Sequence, residues 1–267
     1  MDKKIKDYSY QSKFNYSIFF IGYYLNHTLL RKIKYPTDGS FEFITIIAGE
    51  NGCDNDPKSD TRDGRTDVFN TLYVNIKIDL EYYDKADEQT KCEYFIELYH
   101  RGLQKALTFK DLPYKAMIDA LEVLRQDGFR YRWALRSMLV KDSNLRVKFE
   151  CELNTNEFTM TMEAYRTKPK STEPVCSGTI IKTMPDEVHF DHVISKKNTI
   201  QRDHDLIYIC TYWGCRFFYL KISDITNGIF NIYLCPSEYP ENKIDVETHL
   251  RLQNALLPDN FGKDIYN

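Results

Sequence analysis

The stretch Leu145-Arg146-Val147-Lys148-Phe149-Glu150-Cys151-Glu152-Leu153 decides the fold class. Its apolar residues take every second position and alternate with Arg146, Lys148, Glu150 and Glu152. Successive side chains of a strand point to opposite faces, so this period marks a strand with one dry and one wet face. Asn154-Thr155-Asn156-Glu157 is turn chemistry, and Phe158, Met160, Met162 and Ala164 then alternate with Thr159, Thr161 and Glu163. Alternation this regular belongs to antiparallel sheets with one solvated face. Tyr131–Val140, just upstream, reads as a further strand.

Further upstream the period changes to that of a helix. Cys92, Phe95, Ile96, Tyr99, Leu103, Ala106 and Leu107 share one face of a helix from about Asp87 to Thr108. Asp111 is placed to cap a second helix, with Pro113 in its first turn and Met117, Ala120, Leu121 and Leu124 as its apolar stripe. Gly128 suits a left-handed C-terminal cap. The short link predicts an antiparallel helix pair.

The first third reads as strands. Phe14–Leu25 is aromatic and β-rich, with a strand over Ile18–Leu25. Leu29–Tyr35 and Phe41–Ala48 flank Pro36-Thr37-Asp38-Gly39, a hairpin candidate. The polar segment Gly49–Asp67 is the longest expected loop. Leu72, Val74, Ile76, Ile78 and Leu80 alternate as a half-buried strand. Beyond the polar Thr167–Pro174 come strands over Val175–Thr183, Leu206–Trp213, Phe217–Ile222 and Ile229–Cys235, then a helix near Lys243–Leu257. The expected class is α+β: a mainly antiparallel sheet with a helix pair packed on one face, followed by a smaller β-rich portion. The expected portions are 1–168 and 175–267, the latter β-rich with a C-terminal helix and able to pack as one unit with the first.

Composition narrows the function. The chain has 267 residues, 42% hydrophobic and 28% charged, within the globular range. Formal net charge is −3 and no concentrated basic stripe is present, so nucleic acid is not an expected partner. No stretch approaches the ~18 apolar residues of a membrane span. The aromatic run near the N-terminus lacks a small-residue cleavage site, so a cytoplasmic location is expected. Seven cysteines at wide spacing, with no CxxC, read as buried free thiols. Tyrosine is abundant, with 20 copies; it is enriched both in strands and at protein interfaces.

Three constellations have ligand or nucleophile chemistry. His189-Phe190-Asp191-His192, followed by Asp203-His204-Asp205, holds residue types that bind a divalent metal and activate water. On a strand, however, His189 and Asp191 share a face and His192 points away. The acidic loop Asp54–Gly64 has some calcium-loop character, but Lys58 and Ser59 stand where an acidic residue and the turn glycine belong. Cys210 and Cys215 flank Thr211-Tyr212-Trp213-Gly214, with His204 six residues before Cys210. None completes a catalytic signature, so no catalytic, cofactor or metal residue is assigned.

Two stretches carry a resemblance. Gly128-Phe129-Arg130-Tyr131-Arg132-Trp133 with the Cys151–Met160 hairpin, and Tyr212–Leu220 with Ile232-Tyr233-Leu234, resemble bacterial immunity proteins encoded beside polymorphic toxins, over about half the chain. The resemblance implies a non-enzymatic inhibitor that binds a toxin, as a monomer or homodimer, with no cofactor and no transferable site residue. A near-neutral to acidic surface would suit a basic toxin. The alternatives are a metal-dependent hydrolase using His189, Asp191 and His192, and a structural or assembly subunit.

Overall fold

The computed structural model describes residues 18, 20–30, 41, 43–49, 70–185, 199–211, 214–237 and 243–260. The chain divides into two compact units, Ile21–Phe129 and Arg130–Asn267 with Met1–Phe20.

In the first unit, residues 21–25 form a helix (α1) that runs into a π turn at Asn26–Leu30. This corrects the strand expected over Ile18–Leu25. Ile21, Tyr24 and Leu25 are buried at i, i+3, i+4 spacing, which only a helix brings to one face. The Tyr24 hydroxyl then donates to the Ala120 carbonyl at 3.0 Å. The aromatic composition pointed to a strand, but burial of this face outweighs a weak local propensity.

The expected strand over Leu29–Tyr35 does not begin at Leu29, which lies in the π turn; the rest of that strand and the turn Pro36–Gly39 lie outside the described residues. Strand β1 (Phe43–Gly49) pairs in parallel with β2 (Thr71–Lys77), from Phe43↔Thr71 to Gly49↔Lys77. Parallel neighbours need a crossover of a dozen or more residues, and positions 50–70 supply that length. β2 ends before Leu80 because the Asp79 carboxylate accepts from the Tyr82 amide at 2.9 Å and starts α2 (Leu80–Lys85).

The long helix α3 (Glu88–Leu107) begins at Asp87, whose carboxylate accepts from the Thr90 amide at 2.8 Å. It buries Phe95, Leu98, Leu103 and Ala106 and packs on β1 and β2. A Cβ at Gly102 would come within 2.7 Å of Ile46, so glycine permits this close approach. Helix α4 (Tyr114–Gln126) lies antiparallel to α3. Arg125 near its end is 3.0 Å from Glu93 near the start of α3, and Tyr114 at its start bonds His100 at 2.9 Å. Asp111 does not cap this helix: Pro113 takes the cap position with no side-chain bond. Pro113 has a helix-compatible φ of −75 but a ψ of 53, so the helix starts only at Tyr114, three residues beyond Asp111. Gly128 ends α4 at φ +68, as expected.

The second unit contains two antiparallel sheets. The first is a meander of β3 (Tyr131–Val140), β4 (Leu145–Leu153), β5 (Phe158–Arg166) and β6 (Cys176–Thr183). In β4 every second residue is buried, from Leu145 to Leu153, as the alternation requires. The Asn154 carboxamide oxygen accepts from the Asn156 and Glu157 amides and closes the β4–β5 turn. Segment 167–174 joins β5 to β6 inside this unit and is pinned by the Val175 amide on the Ala164 carbonyl at 2.7 Å. Edge strand β3 carries a bulge between Ala134 and Arg136 and exposes Arg132, features that discourage edge pairing.

The second sheet has the order β10-β9-β8-β7: β7 (Ile200–Asp203), β8 (Leu206–Cys210), β9 (Arg216–Lys221) and the two-residue β10 (Tyr233–Leu234). The strand expected over Ile229–Cys235 is therefore much shorter. A short helix α5 (Ile222–Thr226), burying Ile222 and Ile225, follows β9 directly. Helix α6 (Lys243–Leu256) packs on β6 and β9. Its fully buried Gln253 donates from Nε2 to the Phe217 carbonyl at 2.6 Å and to the Cys235 carbonyl at 2.7 Å. Arg166 at the end of β5 donates to the Thr226 carbonyl at the end of α5 at 3.0 Å. The fold is thus α+β, with helices beside antiparallel sheets and a smaller parallel pair.

Candidate functional site

The candidates from sequence separate clearly. His189, Asp191 and His192 lie outside the described residues, as does the acidic loop Asp54–Gly64. Among the described residues no group of three His, Cys, Asp or Glu side chains is placed to hold a metal ion. His204 sits in the β7–β8 turn at φ +51, exposed, with its Nδ1 2.7 Å from Asp203 Oδ1. Cys210 is buried at the far end of β8. A strand advances roughly 3.4 Å per residue, so β8 keeps this His and Cys apart. Cys151 is buried in β4, and burial pushes its thiol well above the ordinary range, as in an unreactive core cysteine.

The wet face of the second sheet carries an arrangement that sequence reasoning did not single out. In β8, Ile207 and Ile209 are buried while Tyr208 between them is half-exposed; in β9, Phe218 and Leu220 are buried while Tyr219 and Lys221 are half-exposed. The register sets Tyr208 opposite Tyr219 and Tyr219 opposite Tyr233. Three rings therefore cross three strands in one row. Tyr208 and Tyr219 centroids are 6.1 Å apart, and Tyr219 and Tyr233 stack at 5.0 Å with 14° between their planes. The Arg216 guanidinium lies 4.0 Å from the Tyr208 centroid, and the Lys221 ammonium lies 4.4 Å from that of Tyr233. Such cation–ring contacts contribute about 0.5–1 kcal/mol each where partly exposed.

Local chemistry holds the row in place. The Tyr233 hydroxyl donates to Asp224 Oδ2 at 2.8 Å. The Asp224 carbonyl accepts from the Asn227 and Ile229 amides at 2.9 and 3.0 Å, fixing the turn that leads from α5 to β10. Phe230 in that turn covers Gly178 of β6 so closely that a Cβ there would lie 2.3 Å from the ring. Tyr219 and Tyr233 thus meet face to face, Tyr208 meets Tyr219 at a tilt, and Arg216 and Lys221 each lie over one ring of the row.

The wet face of the first sheet differs. Lys148 lies 4.8 Å from the Tyr165 ring, and the Tyr165 hydroxyl donates to Glu163, which pushes the phenol pKa up and keeps the ring neutral. Glu152 pairs with Arg132 and Arg130, and Lys182 with Glu157 at 2.8 Å. Opposite charges there meet on the same surface. Exposed pairs of this kind add roughly 0–1 kcal/mol and ask for no partner.

Among the described residues no helix is long and apolar enough to cross a membrane. Comparison with known protein families, with curated proteins and with solved structures finds no match to this chain.

Proposed function

We propose that this chain is a non-enzymatic protein-binding protein that uses the Tyr208–Tyr219–Tyr233 row as the centre of its contact surface. The partner we propose is a toxin that it neutralises, following the resemblance of its two motif stretches to immunity proteins. The observation that supports contact is the row itself. Tyrosine and arginine are the residues most often found at energetic hot spots, because a rigid ring buries large area for little lost rotamer freedom. Here three rings and two cations are already ordered by their own strands, so binding would cost little further side-chain entropy.

The test is neutralisation. The gene is co-expressed with each neighbouring toxin-like gene in a sensitive host, as wild type and as Tyr219→Ala and Tyr233→Ala variants. Wild-type chain is expected to rescue growth. Each substitution is expected to weaken binding to the toxin about 30-fold, the equivalent of a hot spot worth about 2 kcal/mol. Circular dichroism checks that the fold survives. Rescue that persists unchanged in both variants removes the row from the contact, and no rescue by the wild-type chain removes the toxin.

A further inference from the structure

Helix α6 closes on the strand that carries the last ring of the row. Resting on the proposed contact role of that row, we infer that α6 is a strap that governs it: docked, α6 holds β10 and Tyr233 in register, and on undocking it releases them together. The bonds converge on two carbonyls. The Cys235 amide, one residue past β10, donates to the Phe217 carbonyl of β9 at 2.9 Å. Gln253 of α6 donates to that same carbonyl at 2.6 Å and to the Cys235 carbonyl at 2.7 Å. His249, one turn earlier on α6, places Nε2 3.1 Å from the Cys235 carbonyl, with its ring perpendicular to that of Phe217 and the centroids 4.9 Å apart. A carbonyl only accepts, so this Nε2 carries the proton.

β10 has two residues, too short a ladder to persist on its own pairing. Its near end follows the turn fixed by the Ile229 amide on the Asp224 carbonyl, and its far end is fixed at Cys235 by α6. Departure of β10 would in turn take the Cys235 carbonyl from both Gln253 and His249. Each element stands on the other, which makes them one cooperative opening unit. The anchor of α6 is also modest. Among its described side chains the buried ones are His249, Gln253, Ala255 and Leu256, so half of them are polar. Gln253 Oε1 is buried with no hydrogen-bond partner among the described residues, and water regained by this oxygen favours the open state. β8 and β9, by contrast, bury Ile207, Ile209, Phe218 and Leu220 and stay paired when the strap opens. With β10 out of the ladder the contact face shrinks from three ordered rings to two, and binding must then supply the order of the third.

Native-state hydrogen exchange of the full chain, in rising urea below the unfolding midpoint, is the test. In wild type the Cys235 amide is expected to exchange together with the amides of α6 at every urea concentration, and faster than those of β8 and β9. Gln253→Leu keeps the side-chain bulk and removes both donated bonds. It is expected to speed exchange at Cys235 and in α6 by about tenfold or more and to average the Tyr233 ring proton resonances, with the amides of β4 and β5 unchanged. The inference is overturned if Cys235 exchanges with β8 and β9 instead of α6. It is also overturned if Gln253→Leu leaves Cys235 and Tyr233 as in wild type, or if protection falls equally throughout β4 and β5. Should the variant fail to fold, the wild-type urea series decides by itself. The neutralisation assay keeps the two readings apart. If Gln253→Leu frees Tyr233 and still rescues growth like wild type, the strap stands and the contact role of Tyr233 fails. If Tyr233→Ala abolishes rescue while Cys235 exchanges with β8 and β9, the contact role stands and the strap fails.

Discussion

Replacing Gly178 by alanine sets two effects of opposite sign against each other. Gly178 lies in β6 with ordinary extended backbone, so alanine by itself would stabilise the strand by about 0.5–1 kcal/mol through lower unfolded-state entropy. The added Cβ, however, would lie 2.3, 2.4 and 2.6 Å from Cδ1, Cε1 and Cγ of Phe230. Ordinary carbon contacts fall at about 3.5–4.0 Å, so the ring must withdraw by more than ~1 Å. It cannot swing aside alone. Ile229 is held by its amide on the Asp224 carbonyl, and Tyr233 pairs with Tyr219 three residues beyond Phe230. Overpacking of this kind costs roughly 1–3 kcal/mol, which exceeds the backbone gain. The expected net loss is about 1–2 kcal/mol. Urea unfolding followed by tryptophan fluorescence reads it selectively, because Trp133 and Trp213 both fall within 130–267. With a slope of about 2 kcal/mol/M, the midpoint should fall by about 0.5–1 M. In a Phe230→Ala background the same substitution should be neutral or stabilising, since nothing remains to collide with. A midpoint that stays put or rises in the single variant, or a penalty that persists without Phe230, refutes the reasoning.

Three further outcomes follow from specific contacts. Hydrogen bonding to Thr90 holds the Asp87 carboxyl below its ordinary value of 3.8. A group depressed on folding contributes stability above its unfolded pKa and loses it as pH falls through the folded one. Asp87→Ala should therefore lower the thermal midpoint at pH 7 and converge with wild type towards pH 2; a gap independent of pH would contradict the cap. Among the described cysteines, Cys215 alone is partly exposed, so in a Cys53→Ser background an aromatic disulfide reagent should modify one thiol quickly. Fast reaction of several thiols in native buffer would contradict the buried assignments. Asp224→Ala removes the acceptor of the Tyr233 hydroxyl while leaving the Asp224 backbone bonds possible. It should lower stability by roughly 1 kcal/mol and loosen the Tyr233 ring, seen as averaged ring proton resonances, with little change in far-UV circular dichroism.

Much of the fold was legible because its signals are local. The Leu145–Leu153 alternation is a repeat of two carried by one strand and answered by the next across a four-residue turn. The α3 pattern needs only its own face, and Asp87 starts it through a bond three residues away. Misreadings fall where the decision is made at a distance. Ile21, Tyr24 and Leu25 look β-rich alone and become helical by burying one face, with Tyr24 bonded to a carbonyl on α4. The Phe43–Gly49 strand pairs with β2, more than twenty residues away along the chain, and no local periodicity encodes that long-range choice.

The same division applies to function. The sequence by itself determined an α+β chain with one-sided strands, many tyrosines and no completed catalytic motif, because composition and period are properties of the chain read in order. Only the tertiary structure decided that Tyr208, Tyr219 and Tyr233 form a row with Arg216 and Lys221 against its rings. That row depends on register between strands, one of them reached through α5 and a turn pinned at Gly178. Register follows from which faces are buried and how turns close, and a slip of one residue would send every tyrosine to the other side.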